Sequence, residues 1–274
     1  MMHQSKLADE RREAGSIDCW CLHGAVGMAA DFHSLAKQLA VAGTGTRAVD
    51  LWRFLECQSM PLSHFGTAIN AEAAGEAGHR QAKALLGYSM GGRLALHALL
   101  ENKHPWQAAI LISAHPGLES TADQEARRAS DTLWASRALT GNWQEFLAAW
   151  NAQPVLGKPM RDPQASNSLM LRRREIARSF VDWSLGAQAS LWSRLPEIRI
   201  PVLWIAGEND AKFLDLARRA TALIPNSRLE IAPGCGHRVP WEAESWLARE
   251  ISGFLNGPDI GAGRNTLPAD QKSR

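Results

Sequence analysis

Short apolar runs alternate along this chain with stretches in which apolar residues recur every three or four positions. The runs fall at 17–22, 47–51, 84–87, 109–113, 202–206 and 228–232, and helical periodicity appears at 31–42, 68–78, 92–101, 214–224 and 241–255. Alternation of this kind predicts a parallel sheet of about six strands with helices on both faces. Unbroken runs such as Ala109-Ile110-Leu111-Ile112 suit strands buried on both sides. One interval breaks the rhythm. Between His115 and Leu195 no strand-like run occurs, and helical patterns are expected at 123–139, 143–151, 168–185 and near Leu191. Placed between the fourth and fifth strands, this insertion belongs over the strands' carboxyl ends, where open α/β sheets hold their ligands. The chain thus divides into a core (17–114 and 196–256) and a helical cap (115–195). A polar segment (1–16) precedes them, and a tail (257–274), expected to be disordered, follows.

The third run ends in Gly87-Tyr88-Ser89-Met90-Gly91-Gly92-Arg93 and passes at once into a helical pattern. Gly-x-Ser-x-Gly between a strand and a helix is the nucleophile elbow of an α/β-hydrolase fold, a tight turn that exposes the serine Oγ. Gly87 and Gly91 are required because a Cβ would clash as the helix packs back against the sheet. The serine lies near a helix N-terminus, where backbone N–H groups favour developing negative charge.

A serine nucleophile needs a base, and the base needs an orienting acid. The order in this fold is Ser, acid, His. Gly207-Glu208-Asn209-Asp210 follows the fifth strand and Pro233-Gly234-Cys235-Gly236-His237 follows the sixth, which assigns Ser89, Asp210 and His237. Glu208 is the rival acid. The oxyanion hole should combine the N–H of Met90 with one from His23-Gly24-Ala25-Val26-Gly27 after the first strand. Ala25 is the expected donor and His23 the residue that braces the loop.

Composition narrows the partners. The 274 residues carry a formal net charge of +2, with 45% hydrophobic and 21% charged residues, which gives no basis for binding nucleic acid or an acidic membrane surface. No apolar run approaches the ~20 residues that span a bilayer. Residues 1–15 lack the apolar centre of a signal peptide, so a cytoplasmic protein is expected. Cys19, Cys21, Cys57 and Cys235 form no disulfide framework and are expected as buried thiols; no metal ligands cluster. Among eleven tryptophans, most of those in the cap are expected as packing, and Trp150 as an aromatic wall over a pocket.

Several segments narrow the reading further. Gly87 to Arg93, His115-Pro116-Gly117-Leu118, Arg127 through Ser130-Asp131 and Trp134, Trp150 with Gln153-Pro154, and Gly207-Glu208-Asn209-Asp210-Ala211-Lys212-Phe213 resemble the 2-succinyl-6-hydroxy-2,4-cyclohexadiene-1-carboxylate synthase family of menaquinone biosynthesis. The resemblance spans about residues 17–255. It implies a lyase that eliminates pyruvate from a small polycarboxylate, with Arg93 and Arg127 binding carboxylates through their bidentate forks. Trp150 and Tyr88 would line the pocket, and a further cap arginine is expected at Arg172 or Arg173. It implies that Ser89, with His237 and Asp210, removes a proton from the substrate. No metal or organic cofactor is implied, since triad and oxyanion hole suffice. The same residues leave open a serine hydrolase of a carboxylate-bearing ester, thioester or carbon–carbon bond, and a non-catalytic binding protein. The chain departs from the pattern at Trp52-Arg53-Phe54-Leu55-Glu56, where the fold usually supplies a Pro-Gly-His-Gly-like turn. Its N-terminus is short, so the sheet should have six strands, or one more drawn from residues 1–16.

Overall fold

Six parallel strands in the order β2-β1-β3-β4-β5-β6 form the centre of the molecule. They are β1 (Ile17–Leu22), β2 (Gly45–Val49), β3 (Ala82–Tyr88), β4 (Trp106–Ile112), β5 (Val202–Gly207) and β6 (Ser227–Ala232). The computed structural model describes residues 17–75, 82–157, 163–257 and 260. The expectations for 1–16, for the end of the helix at 76–78 and for the tail, apart from Gly257 and Ile260, lie outside those residues.

The inner strands β1, β3, β4 and β5 are buried on both faces, as their sequences demand, and the edge strands β2 and β6 are part exposed. Trp20, Leu22, Leu85, Leu111 and Trp204 pack on one side, whereas Cys19, Cys21, Leu86, Ile110, Ile112 and Ile205 pack on the other. Period-two alternation therefore sorts Cys19 and Cys21 to one face and Trp20 to the other. Both thiols and Cys235 are buried, but Cys57 is exposed, against the expectation of four buried thiols.

The core helices are α1 (His33–Val41), α2 (Leu62–Gly75) and α3 (Met90–Leu99). The cap contributes α4 (Thr121–Thr140), α5 (Trp143–Asn151), α6 (Pro163–Met170) and α7 (Arg173–Asp182), and the core closes with α8 (Ala211–Thr221) and α9 (Glu244–Leu255). Local signals fix several ends. Ser120 Oγ accepts from the Asp123 N–H at the start of α4, and Asn142 Oδ1 accepts from the Gln144 and Glu145 N–H groups at the start of α5. The single helix expected over 168–185 is two helices, broken at Leu171-Arg172. At the break Arg172 leaves the helical path, with φ −104° and ψ +16°, and its side chain pairs with Asp50 (2.9 Å) and Glu56 (2.5 Å) beside the core.

The order of strands changes direction between β1 and β3: β2 lies to one side and β4, β5 and β6 to the other. The crevice at such a switch point, outside the carboxyl ends, is the ligand position of this architecture. The loops after β1 and β3 meet there, and the cap, inserted between β4 and β5, covers it.

Candidate active site

Ser89 stands between the end of β3 and the start of α3 with φ +53° and ψ −109°, a left-handed conformation that a non-glycine residue adopts at a cost of about 1–3 kcal/mol. Two other residues on strand-end loops share positive φ, Val26 after β1 and Ser113 after β4. The elbow is held by the sheet, with the Ser89 N–H donating to Ile112 O at 2.8 Å. Gly91 leaves no room for a side chain: a Cβ there would lie 2.1 Å from Leu22 O. Only glycine lets α3 approach β1 that closely.

The three residues assigned from chain order converge. His237 Nε2 lies 3.0 Å from Ser89 Oγ, and His237 Nδ1 lies 2.7 Å from Asp210 Oδ2. Both His237 and Asp210 are buried. The Phe213 ring packs 4.4 Å from the imidazole and the Tyr88 ring 5.7 Å from it, so the base is held between aromatic walls. Glu208, the rival acid, is engaged elsewhere. Its Oε2 accepts from the Gly234 N–H at 2.8 Å, and Asn209 Nδ2 donates to Gly234 O at 2.9 Å. Both shape the loop that carries His237.

Ala25 and Met90 line the cavity beside Ser89, where the two oxyanion donors are needed. His23 braces their loop: the Leu51 N–H donates to its Nε2 (3.4 Å), which leaves the Nδ1 proton for Gly24 O (2.9 Å). Trp52 adds a second brace, its indole N–H donating to Gly27 O at 2.8 Å. The segment Trp52-Arg53-Phe54-Leu55-Glu56 is therefore a turn (a 3₁₀ helix at Leu51–Leu55) that buries Trp52 and Leu55, exposes Arg53 and Glu56, and supports the loop after β1. None of its residues lines the cavity containing Ser89.

That cavity has a volume of about 260 Å³. Arg93, Arg127, Lys212 and Asp131 supply its charges, and Trp134 and Trp150 form an aromatic wall, their rings 5.2 Å apart and nearly perpendicular. Arg93 is 7% exposed, and among the described residues no carboxylate lies within 4.0 Å of it. It donates instead to Trp183 O (2.7 Å) and Gln188 Oε1 (3.0 Å). Burial, reinforced by repulsion from Arg127, pulls its pKa down to about 9. A buried cation without a counter-ion is costly, and an incoming anion would relieve that cost. Arg127 uses Nε on Asp131, at 2.9 Å to both oxygens. Asp131 in turn accepts from Ser184 Oγ at 2.7 Å.

The expectation of a further cap arginine is corrected here. Neither Arg172 nor Arg173 faces the cavity: Arg172 is paired with Asp50 and Glu56, and Arg173 donates to Ala138 O and Gly141 O at the end of α4. Tyr88 lines an adjoining depression, with Gly24, Asp31 and Trp241, and touches the site through the His237 ring. Trp134, Lys212 and His115 were missed as lining residues. Their only sequence signals are the motifs in which they stand.

The segment His115-Pro116-Gly117-Leu118 is a backbone junction. Gly117, at φ +120°, donates its N–H to His115 Nδ1 (3.0 Å) and accepts from the Trp192 indole (3.0 Å), while Pro116 O accepts from the Leu191 N–H (2.8 Å). The start and end of the cap insertion are thereby stapled together. Among the described residues no His/Cys/Asp/Glu cluster could hold a metal ion, and no helix is long and apolar enough to cross a membrane.

Comparison with known proteins places this geometry. The alpha/beta hydrolase fold family matches residues 21–244. The 2-succinyl-6-hydroxy-2,4-cyclohexadiene-1-carboxylate synthase of Serratia proteamaculans (strain 568) is 33% identical over 178 residues, 64% of this chain and 68% of its own length. A Bacillus subtilis (strain 168) protein, provisionally named for the same synthase, is 34% identical over 177 residues, 62% of this chain and 65% of its own length. These alignments thus span about two thirds of each relative. The structure of MenH from S. aureus superposes with a TM-score of 0.78 at 25% identity, covering 87% of this chain and 92% of that one. An esterase from Exiguobacterium antarcticum shares the fold, with a TM-score of 0.69 at 18% identity, covering 89% and 93%. The strand order, the elbow and the matched length together establish that this chain belongs to the α/β-hydrolase fold family and, within it, to the 2-succinyl-6-hydroxy-2,4-cyclohexadiene-1-carboxylate synthase family.

Proposed function

We propose that this protein is a lyase of menaquinone biosynthesis. It eliminates pyruvate from 2-succinyl-5-enolpyruvyl-6-hydroxy-3-cyclohexene-1-carboxylate to give 2-succinyl-6-hydroxy-2,4-cyclohexadiene-1-carboxylate. The observation that carries this reading is a Ser-His-Asp contact chain opening into a cavity where Arg93 is buried without a carboxylate partner among the described residues. Such a site asks for an anionic substrate.

In this reaction Ser89 Oγ, polarised by His237 Nε2, takes the ring proton, and His237 takes the serine proton in turn. Asp210 holds the imidazole in the required tautomer and stabilises its positive charge. The electrons of the broken C–H bond shift through the ring to form the new double bond and expel the enolpyruvyl oxygen. The N–H groups of Ala25 and Met90 stabilise the negative charge that develops, and the released enolate is protonated to pyruvate. Arg93 and Arg127 anchor carboxylates, and Trp134 and Trp150 exclude water from one wall. No covalent intermediate is required.

The same 3.0 Å Ser89–His237 contact suits a hydrolase that passes through an acyl-enzyme, which is the second reading. Pyruvate release from freshly generated substrate separates them, measured with the Ser89→Ala protein and a no-enzyme control. Fast, Ser89-dependent release supports the lyase. No acceleration, from protein whose Ser89 still reacts with a fluorophosphonate, overturns it in favour of the hydrolase.

A further inference from the structure

Two polar side chains of the cavity have no part in that reaction. The first is Lys212, in the first turn of α8, two residues beyond Asp210. Among the described residues no carboxylate lies within 4.0 Å of its ammonium, and its Nζ sits 5.8 Å from the centre of the Phe213 ring. The second is His115, buried at the exit of β4, whose ring meets Phe213 edge-on at 6.2 Å. Phe213 itself packs on His237, so both groups are grouped around one aromatic ring beside the catalytic base.

The hydrogen bonding of His115 fixes its tautomer. Its Nδ1 accepts the Gly117 N–H at 3.0 Å and so carries no proton. Burial, with the positive charges of Lys212, Arg93, Arg127 and Arg219, holds the ring neutral, its pKa pulled down to about 3. The single ring proton is therefore on Nε2. Nε2 makes no hydrogen bond among the described residues, and His115 lines the cavity, so this N–H is left as a donor for a ligand there. Charge balance points the same way. Asp131 offsets one of the three cations Arg93, Arg127 and Lys212, which leaves the lining two positive charges in excess.

We propose that Lys212 and His115 Nε2–H form a second carboxylate subsite, separate from Arg93 and Arg127, so that the enzyme selects substrates carrying two or more separated carboxylates. Lys212 supplies the charge, as a point cation that tolerates varied approach, and His115 supplies a directed neutral donor. The subsite deepens the proposed function and rests on it for turnover, but not for binding.

The test uses the full-length enzyme and reads protection of Ser89 from fluorophosphonate labelling. Dicarboxylates from succinate to suberate serve as probes, with the matching monocarboxylates as controls. At least one dicarboxylate should protect wild type far better than its monocarboxylate. Lys212→Gln should raise its half-protecting concentration about tenfold or more and leave the monocarboxylate within twofold; Lys212→Arg should restore it. Because the Lys212 side chain is exposed, these variants should keep the wild-type Tm. His115→Asn retains an acceptor for the Gly117 N–H but loses the distal donor, so it should weaken protection several-fold, whereas His115→Gln recovers most of it. With the proposed substrate, Lys212→Gln should raise KM and leave kcat within a few-fold. Equal protection by mono- and dicarboxylates, or an unchanged value in Lys212→Gln, overturns the subsite. Lys212-dependent protection without pyruvate release would uphold the subsite and overturn the lyase reading alone.

Discussion

The core side and the cap side of this cavity are built by different means. On the core side, Ser89, Asp210 and His237 each follow a strand of one sheet, so backbone ladders set their separation, and hydrogen bonds of 2.7 and 3.0 Å result. On the cap side, Arg127, Trp134 and Trp150 are carried by α4 and α5, and the cap meets the core at the two ends of α7 through polar contacts: Arg93 donating to Trp183 O, and Arg172 pairing with Asp50 and Glu56. Chemistry that needs fixed geometry sits on the sheet. In the proposed reaction, recognition of the substrate's charge is shared with a layer whose attachment is polar and substitutable.

The largest effect should come from breaking the core side. Ser89→Ala should lower kcat/KM for pyruvate release by ~10³-fold or more, while thermal unfolding stays at the wild-type Tm. Activity within tenfold of wild type would remove the triad from the mechanism. Next is the junction with the cap. Arg93→Gln should cost ~10–100-fold with the polycarboxylate, the range expected for one charge-assisted hydrogen bond of ~1.5–3 kcal/mol, and far less with a neutral ester. Equal losses on both substrates would mean that Arg93 serves the fold and not recognition.

A titration sharpens the contrast by stability. Burial, chiefly, depresses His115 to about 3 and His97 to about 4, from an ordinary value of 6.5. As pH falls below 6.5 the unfolded chain takes up protons that the folded chain refuses, so stability is complete above that pH and declines below it. Each residue contributes a slope approaching ~1.4 kcal/mol per pH unit. His97→Gln, on α3 in the core, should visibly flatten the fall in Tm between pH 7 and 5; an unaltered fall would contradict the assignment. The smallest effect belongs to Arg172→Ala. Its ion pairs are about one third exposed, so less than ~1 kcal/mol of stability and less than twofold in kcat/KM should be lost. A hundredfold loss would instead require Arg172 to leave Asp50 and enter the cavity during turnover.

The same division decided what could be read from the sequence. The strands, the elbow and the order Ser89, Asp210, His237 were legible because each depends on local signals: apolar runs, glycines at close approaches, an acid and a histidine just past strand ends. His23 was legible as a brace for the same reason. The break at Leu171-Arg172 was not, because apolar periodicity continues through it and the acids that Arg172 meets there, Asp50 and Glu56, lie far away in the chain. The role of Trp52 was not legible either: nothing local reveals that its indole turns inward to Gly27 O. Lys212 was overlooked because an exposed lysine in the first turn of a helix gives no local sign that it also borders the cavity.

The junction at Pro116 and Gly117 has a consequence for how this architecture can change. Because Pro116 O and Gly117 O grip Leu191 and Trp192, the chain leaves the core and re-enters it at nearly the same place. To the sheet, everything between is a loop of almost no span, closed by its own staple whatever its contents. Lengthening or exchanging the cap then costs the core little more than the slow logarithmic growth of loop entropy. A single nucleophile-bearing scaffold could in this way acquire new substrates by exchanging the segment between two hydrogen bonds, leaving its triad where it stands.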